Sequence, residues 1–245
     1  MKSLLLIFLL PLARAQVTDA ALPGLVAGTL TGTGSAKVEP LPGVWVILNR
    51  LPQAGERGFT VVERRTRTAK DGTYSFAGLP LGRYEVCPQI PDSLYLSPCN
   101  WPELLPESHT TGLGPLALLT AASPVQALNL TMVQGAILNI RIEDTGRQIE
   151  NLQRTREERA AYVGVVLANG RHSPASPLGS RNGIHIYSIV VPPGLSLRPV
   201  FEGPSVNLED VASRQPLAQG CGQSIALDAR GGPREVVLRV TGAKL

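Results

Sequence analysis

The stretch that decides the fold is DGTYSFAGLPLGRYEVCP, residues 71–88. It opens on an Asp-Gly turn signal, where glycine accepts the positive φ that such turns require. Side chains then alternate, so that Tyr74 and Phe76 share one face, and beyond the Gly-Leu-Pro-Leu-Gly turn Tyr84 and Val86 share another. The pattern predicts a β-hairpin with an apolar inner face. It therefore assigns these aromatics to a protein core rather than to a binding stripe.

Short strands separated by turn residues continue on both sides of this stretch. GLVAGTLTG reads as a first strand, and PLPGVWVILNR places Val44, Val46 and Leu48 on one face. FTVVERRTRT is predicted to be an edge strand, because its arginines would be costly to bury and discourage edge-to-edge pairing. The chain has 25 glycines and 21 prolines among short apolar runs, which favours an all-β fold over a helical one.

The second half of the chain also consists of short apolar strands separated by turn residues. GAILNIRIEDTG sets Ala136, Leu138, Ile140 and Ile142 inward, and the later segments YVGVVLANG, IHIYSIVVPPG, LSLRPVFEG and REVVLRVTG continue the series. YSIVVPPGLSLRPV also echoes YSFAGLPLGRYEV in its order of aromatic, apolar strand, proline turn and next strand. We therefore expect two tandem antiparallel β-sandwich domains, residues 16–133 and 134–245. Residues 146–161 are charged and helix-compatible, as a surface insertion or a partner-facing arm would be.

Residues 1–15, MKSLLLIFLLPLARA, have the order of a secretory signal: an early Lys2, an apolar run and the small-x-small ending before position 16. The apolar run is well short of the ~20 residues that a membrane-spanning helix requires. We expect cleavage after Ala15 and a secreted protein, periplasmic or extracellular, without a membrane span.

The charge balance argues against a nucleic-acid partner. The chain has 23 basic and 19 acidic residues, and loss of Lys2 and Arg14 with the signal leaves 21 and 19, a net charge of +2. This excess is too small to predict a polyanionic partner from the overall charge, and export makes a nucleic acid less plausible still.

Three cysteines, Cys87, Cys99 and Cys221, enter a compartment that permits disulfides. Cys87 and Cys99 enclose a short proline-rich loop that a bridge could close with about 2 to 3 kcal/mol of stabilisation. We predict this pair, although three cysteines allow three single pairings. Cys221 then remains as a buried thiol, as a link to another chain or as the true partner of one of the others.

The order PLPGVWVILN followed by TRTAKDGTYSFAGLPLGRYEV resembles the carboxypeptidase regulatory-like domain, a transthyretin-like β-sandwich related to carbohydrate-binding-like folds. The resemblance covers about residues 22–133, and residues 134–245 are similar only in outline. It implies a non-catalytic module of an exported bacterial protein and transfers no catalytic residue. The matching positions are Gly43, Val44, Val46, Thr68, Asp71, Gly72, Tyr74, Phe76, Leu79, Pro80, Gly82, Tyr84 and Val86.

The residues themselves also predict no enzyme, no cofactor and no metal site. His109, His172 and His185 are far apart and form no His-Glu-x-x-His zinc motif. The sequence contains no Gly-x-Ser-x-Gly nucleophile elbow and no glycine-rich phosphate loop.

Sugar binding is the specific activity that remains, because sugars dock on exposed aromatic rings flanked by polar groups. With the other aromatics assigned inward, the candidates for carbohydrate binding are Trp45, Tyr95 and Trp101. We expect a structural or interaction module of the bacterial cell envelope or exterior, with an envelope protein as its partner. The alternatives are a carbohydrate-binding protein and an accessory subunit whose charged segment docks an exported enzyme.

Overall fold

The computed structural model describes residues 24–34, 37–90, 93–104, 114–154, 161–203, 206–217, 220–228 and 231–243. The predicted signal segment, His109 and residues 155–160 of the charged segment lie outside the described residues. The regular secondary structure of the described residues is almost all β, as predicted. No helix among these residues is long and apolar enough to cross a membrane.

The first half of the chain contains ten strands and one short 3₁₀ turn in its described part. They are β1 (Gly24–Thr33), β2 (Val38–Pro40), β3 (Trp45–Leu51), β4 (Glu63–Arg67), β5 (Thr73–Leu79), β6 (Gly82–Gln89), β7 (Tyr95–Leu96), the 3₁₀ turn (Pro102–Leu104), β8 (Leu116–Leu119), β9 (Val125–Ala127) and β10 (Leu130–Gln134).

These strands form the two sheets of a first sandwich. In one sheet β1 is central and pairs with β2, β5, β9 and β10, while β7 pairs with β10; the other sheet has the order β4-β3-β6-β8. The alternating positions predicted from sequence face the core between them: Val44, Val46, Leu48, Tyr74, Phe76, Tyr84 and Val86 are all at most 5% exposed. β4 is an edge strand with exposed arginines, also as predicted.

The predicted hairpin at residues 71–88 is wrong in its pairing. β5 pairs with β1, whereas β6 pairs with β3 and β8 in the opposite sheet. The turn between them therefore carries the chain across the sandwich. Gly78 takes a positive φ there, and the Tyr84 hydroxyl donates to the carbonyl of Pro80 at 2.6 Å. Alternation gives the same buried faces for a hairpin and for a crossing, so it could not choose between them.

The second half contains nine strands and one short helix in its described part. They are β11 (Ala136–Glu143), α1 (Gln148–Arg154), β12 (Tyr162–Leu167), β13 (His172–Pro174), β14 (Ser176–Arg181), β15 (Ile184–Val191), β16 (Leu197–Glu202), β17 (Val206–Asp210), β18 (Gln215–Pro216) and β19 (Arg234–Ala243).

These strands form a second sandwich, with one sheet in the order β14-β15-β11-β19-β17-β18 and another in the order β13-β12-β16. β11 alternates as predicted, with Ala136, Leu138, Ile140 and Ile142 at most 4% exposed. The sequence echo has a structural counterpart, because β15 and β16 cross between sheets just as β5 and β6 do.

The sequence predicted antiparallel sheets, but each half also contains a parallel pair of strands. The first strand of each half lies parallel to the last, β1 beside β10 and β11 beside β19. In each half the last strand returns to lie beside the first strand and runs in the same direction. The first half passes to the second through Gly135 alone, between β10 and β11. That residues 16–133 and 134–245 are separate domains stays a prediction.

The charged segment begins with α1, whose start is fixed by a fully buried carboxylate. Asp144 accepts the N–H of Gln148 at 2.8 Å and that of Ile149 at 2.7 Å. Such bonds satisfy amides that a helix start leaves without partners.

Candidate functional site

The predicted disulfide is present: Cys87 and Cys99 are bonded, with their Cα atoms 5.8 Å apart. Cys87 lies in β6, so the bond ties the loop of residues 93–104 to the second sheet of the first sandwich. Cys221 is a free, half-buried thiol. Glu85 lies near the two bonded sulfurs but accepts the N–H of Gly114 at 2.7 Å, and sulfurs joined in a disulfide are not the thiolates that bind metals.

The loop does not reach into solvent; it enters the second sandwich. Leu96 and Trp101 are buried, 6% and 5% exposed, within the same apolar cluster as Leu138 and Phe201. Trp101 is therefore the packing anchor that its loop position predicted, and it offers no exposed ring for a sugar. The sequence could not reveal this burial because the covering surface comes from residues far along the chain.

Arg171 of the second sandwich binds the loop of residues 93–104 through Trp101 and Glu103. Its guanidinium carbon lies 4.8 Å from the centre of the Trp101 ring. Nε and one terminal nitrogen donate to the two carboxylate oxygens of Glu103, each at 2.7 Å, and Asn169 donates to the same carboxylate at 3.2 Å. A two-bonded arginine and carboxylate pair is among the stronger polar contacts in proteins. We call Leu96, Trp101, Glu103 and Arg171 the junction.

Sequence reasoning missed Arg171, and no local signal marks it. It follows an Ala-Asn-Gly turn, which is where a solvated arginine would also be expected.

The pKa of Glu103 reflects its two opposing surroundings. Burial alone would raise the pKa of this carboxyl group. The hydrogen bonds from Arg171, from its own backbone and from Asn169 outweigh burial and hold the pKa below the ordinary value of 4.5. The ionised form is therefore the one that the folded junction favours.

Replacing Glu103 with glutamine is expected to lower the free energy of unfolding by about 1–2 kcal/mol at pH 7, because charge-assisted bonds are lost. A carboxyl group whose pKa is lowered by folding stabilises the protein above its unfolded-state pKa and ceases to do so as the pH falls through its folded-state pKa. The gap between wild type and Glu103→Gln should therefore narrow below about pH 4.5 and close at lower pH.

Urea unfolding at a series of pH values measures this gap. Glu63→Gln, which changes an exposed glutamate of β4, is the matched control and should show little effect at any pH. A gap for Glu103→Gln that stays constant from pH 7 to pH 3 would contradict the assignment.

Trp45 lies on the outer face of the first sandwich, where its alternation with Val44 and Val46 placed it. It is half-buried, because two arginines of β4 lie over its ring: the guanidinium carbon of Arg67 is 4.4 Å from the ring centre and that of Arg65 is 5.5 Å away. Trp45 pairs directly with Arg67 across the strands. Cross-strand neighbours project from the same face, which explains the contact.

Tyr95 lies in β7, in the other sheet of the first sandwich, and borders a cleft of about 340 Å³. Burial raises the pKa of its hydroxyl and the nearby Glu39 carboxylate raises it further, so the group stays a proton donor; it donates to Glu39 at 3.4 Å. Gln89 connects the two candidates, because it pairs with Trp45 across the strands and also lines the cleft. We call Trp45, Arg65, Arg67 and Gln89 the outer surface; the cleft that Gln89 and Tyr95 line is its neighbour.

No protein-family model matches the chain, and no curated protein matches it. Among solved structures, the Bacillus anthracis TIE protein is 11% identical with a TM-score of 0.30, over 90% of this chain and 35% of that one. The shaft pilin SpaA of Lactobacillus rhamnosus GG is 11% identical with a TM-score of 0.31, over 89% and 98%. A Pseudomonas aeruginosa protein with a proposed carbohydrate-binding role is 16% identical with a TM-score of 0.28, over 47% and 92%. Similarities this distant carry no argument about function, and the family resemblance in residues 22–133 stays a prediction.

The two described histidines lie in different sheets and face different acids. His172 Nδ1 is 3.3 Å from an oxygen of Glu202 at the surface, whereas His185 is 7% exposed with Nε2 4.0 Å from Asp144. Asp144 is already bonded to the start of α1. Each pair is thus one histidine with one carboxylate, fewer ligands than the three or four that hold zinc.

Proposed function

We propose that this chain is an exported, non-catalytic structural module of the bacterial cell envelope or exterior. The observation that carries the proposal is the junction. A loop held by a disulfide places two apolar side chains in the core of the neighbouring sandwich, and Arg171 fastens it from the other side. Such an arrangement resists bending between two sandwiches, which is the property that a load-carrying or spacing module needs.

The roles of two carboxylates, Asp144 and Glu103, support the same proposal. Asp144 holds the start of α1, and Glu103 holds Arg171. Catalytic acids and bases are instead arranged around a cleft that admits a substrate. These two carboxylates therefore stabilise the fold of the described residues.

The disulfide and the first fifteen residues support export. Disulfides form and persist in oxidising compartments, and the sequence opens on a signal-like segment. An envelope protein is the partner that such a module would have.

Fractionation of the native bacterium, followed by thiol mapping, tests the proposal. We expect the chain in the envelope or the medium, beginning at Gln16, with Cys87 and Cys99 resistant to alkylation until reductant is added. In-cell cross-linking should join it to an envelope protein. Recovery of an unprocessed, fully reduced chain from the cytoplasm would contradict the proposal.

Carbohydrate binding is a second candidate function, and the outer surface favours it. Of the three candidate rings, Trp45 is the one on an outer sheet face, and the cleft that begins at Gln89 offers amide and hydroxyl groups from Gln89, Ser97 and Tyr95. A glycan array with the wild type and Trp45→Ala tests this function. Binding that the substitution leaves unchanged would remove Trp45 from it.

A further inference from the structure

We infer that the outer surface binds a polysaccharide that carries carboxylate groups, such as a chain of uronic acids. The inference rests on the second candidate function and specifies its ligand class. It starts from the two arginines that lie over the ring of Trp45.

Four arginines of the described residues, Arg50, Arg141, Arg171 and Arg239, hold carboxylates, whereas the two of the outer surface do not. Arg50 lies 2.6 Å from Glu56, and Arg171 lies 2.7 Å from Glu103. Arg65 and Arg67 are exposed, and no carboxylate of the described chain comes within 4.0 Å of either. Both guanidinium groups lie over the ring of Trp45. Two guanidinium groups are thus presented without an internal counterion.

The strand geometry sets these two groups in a row. Arg65 and Arg67 are two residues apart on β4, so they project from the same face, roughly 7 Å apart along the strand. A linear polymer that lies along β4 would meet both in succession. Glu63 is on the same face but beyond Arg65, opposite Asn49 and away from Trp45.

The arginines favour an acidic sugar over a neutral one. A neutral sugar that stacks on Trp45 competes with the guanidinium of Arg67 for the ring face, and it has no carboxylate to pair with the displaced arginine. A uronate carboxylate instead accepts paired hydrogen bonds from the guanidinium fork, while its ring edge remains beside the indole. The contact between ring and arginine then orients the binding groups in advance.

The neighbouring cleft favours a glycan over an acidic polypeptide. Gln89, Ser97 and Asn100 line it with amide and hydroxyl groups, which suit a ligand rich in hydroxyls. The net charge of +2 did not predict an acidic ligand, because it averages these two arginines with acidic residues that lie elsewhere.

The test titrates the secreted chain with three polymers of similar length: polygalacturonate, neutral dextran and polyglutamate. We expect polygalacturonate to bind and the binding to weaken as salt is added, because exposed charges are screened. Arg65→Gln/Arg67→Gln should weaken it at least about 10-fold, since two charge-assisted contacts are lost. Arg181→Gln/Arg198→Gln removes the same charge from exposed sites of the second sandwich and should leave it unchanged. Thermal unfolding of each variant verifies its fold.

Four results would overturn the inference. They are no binding of polygalacturonate by the wild type, equal binding of polyglutamate, equal weakening by the two double variants, and equal binding of dextran. If dextran binds through Trp45 and polygalacturonate does not, carbohydrate binding stands and the acidic ligand class is wrong. If no glycan binds, both fall, while the structural role is decided separately by fractionation.

Discussion

Replacing Trp101 with alanine is expected to lower the free energy of unfolding by about 3–5 kcal/mol, the usual cost of deleting a buried tryptophan. The ring is 5% exposed within the apolar cluster of the second sandwich, and its removal leaves a cavity beneath Arg171. Urea unfolding of the chain with its disulfide intact, at pH 7, measures the change.

Trp45→Ala is the matched control, because it deletes the same side chain from a half-buried position on an outer sheet face. We expect it to cost less than about 1 kcal/mol, as substitutions away from the core usually do. Equal losses for the two tryptophans would contradict the placement of Trp101 in the core of the second sandwich.

Removing the disulfide is expected to have the second largest effect. The bond closes a loop with a sequence separation of 12. Cys87→Ala/Cys99→Ala should lower the free energy of unfolding by about 2–3 kcal/mol, mainly because the unfolded chain gains freedom. The same loop carries Trp101, so the loss of the bond also frees the junction to move.

Equilibrium unfolding measures this effect, with Cys221→Ser as the control because Cys221 is a free thiol. The control should change stability by less than about 1 kcal/mol. A double variant as stable as the wild type would show that the loop is held without its bond. Because the disulfide and Trp101 act on one loop, we expect the combined variant to lose less than the sum of the separate losses.

The sequence predicted which side chains face the cores but not which strands pair. Tyr74, Phe76, Tyr84 and Val86 are buried as their alternation required. Alternation depends only on the residues of one strand, whereas pairing depends on where the chain travels next. This is why β5 and β6 were taken for a hairpin although they lie in opposite sheets.

The candidate site shows the same division between local and distant information. The Cys87–Cys99 bond was predictable because both cysteines flank one short loop. The burial of Trp101 and the role of Arg171 were not, since 70 residues separate the two positions in the chain. The position of Trp45 on the outer face followed from its strand, but the two arginines over its ring required the register between β3 and β4.

Calorimetric unfolding of the oxidised chain tests the central claim, that the loop of residues 93–104 interlocks the two sandwiches. We predict one cooperative transition, with equal calorimetric and van't Hoff enthalpies, for the wild type and, at a lower temperature, for Trp101→Ala. Two transitions in the wild type, at temperatures that Trp101→Ala leaves unchanged, would contradict it.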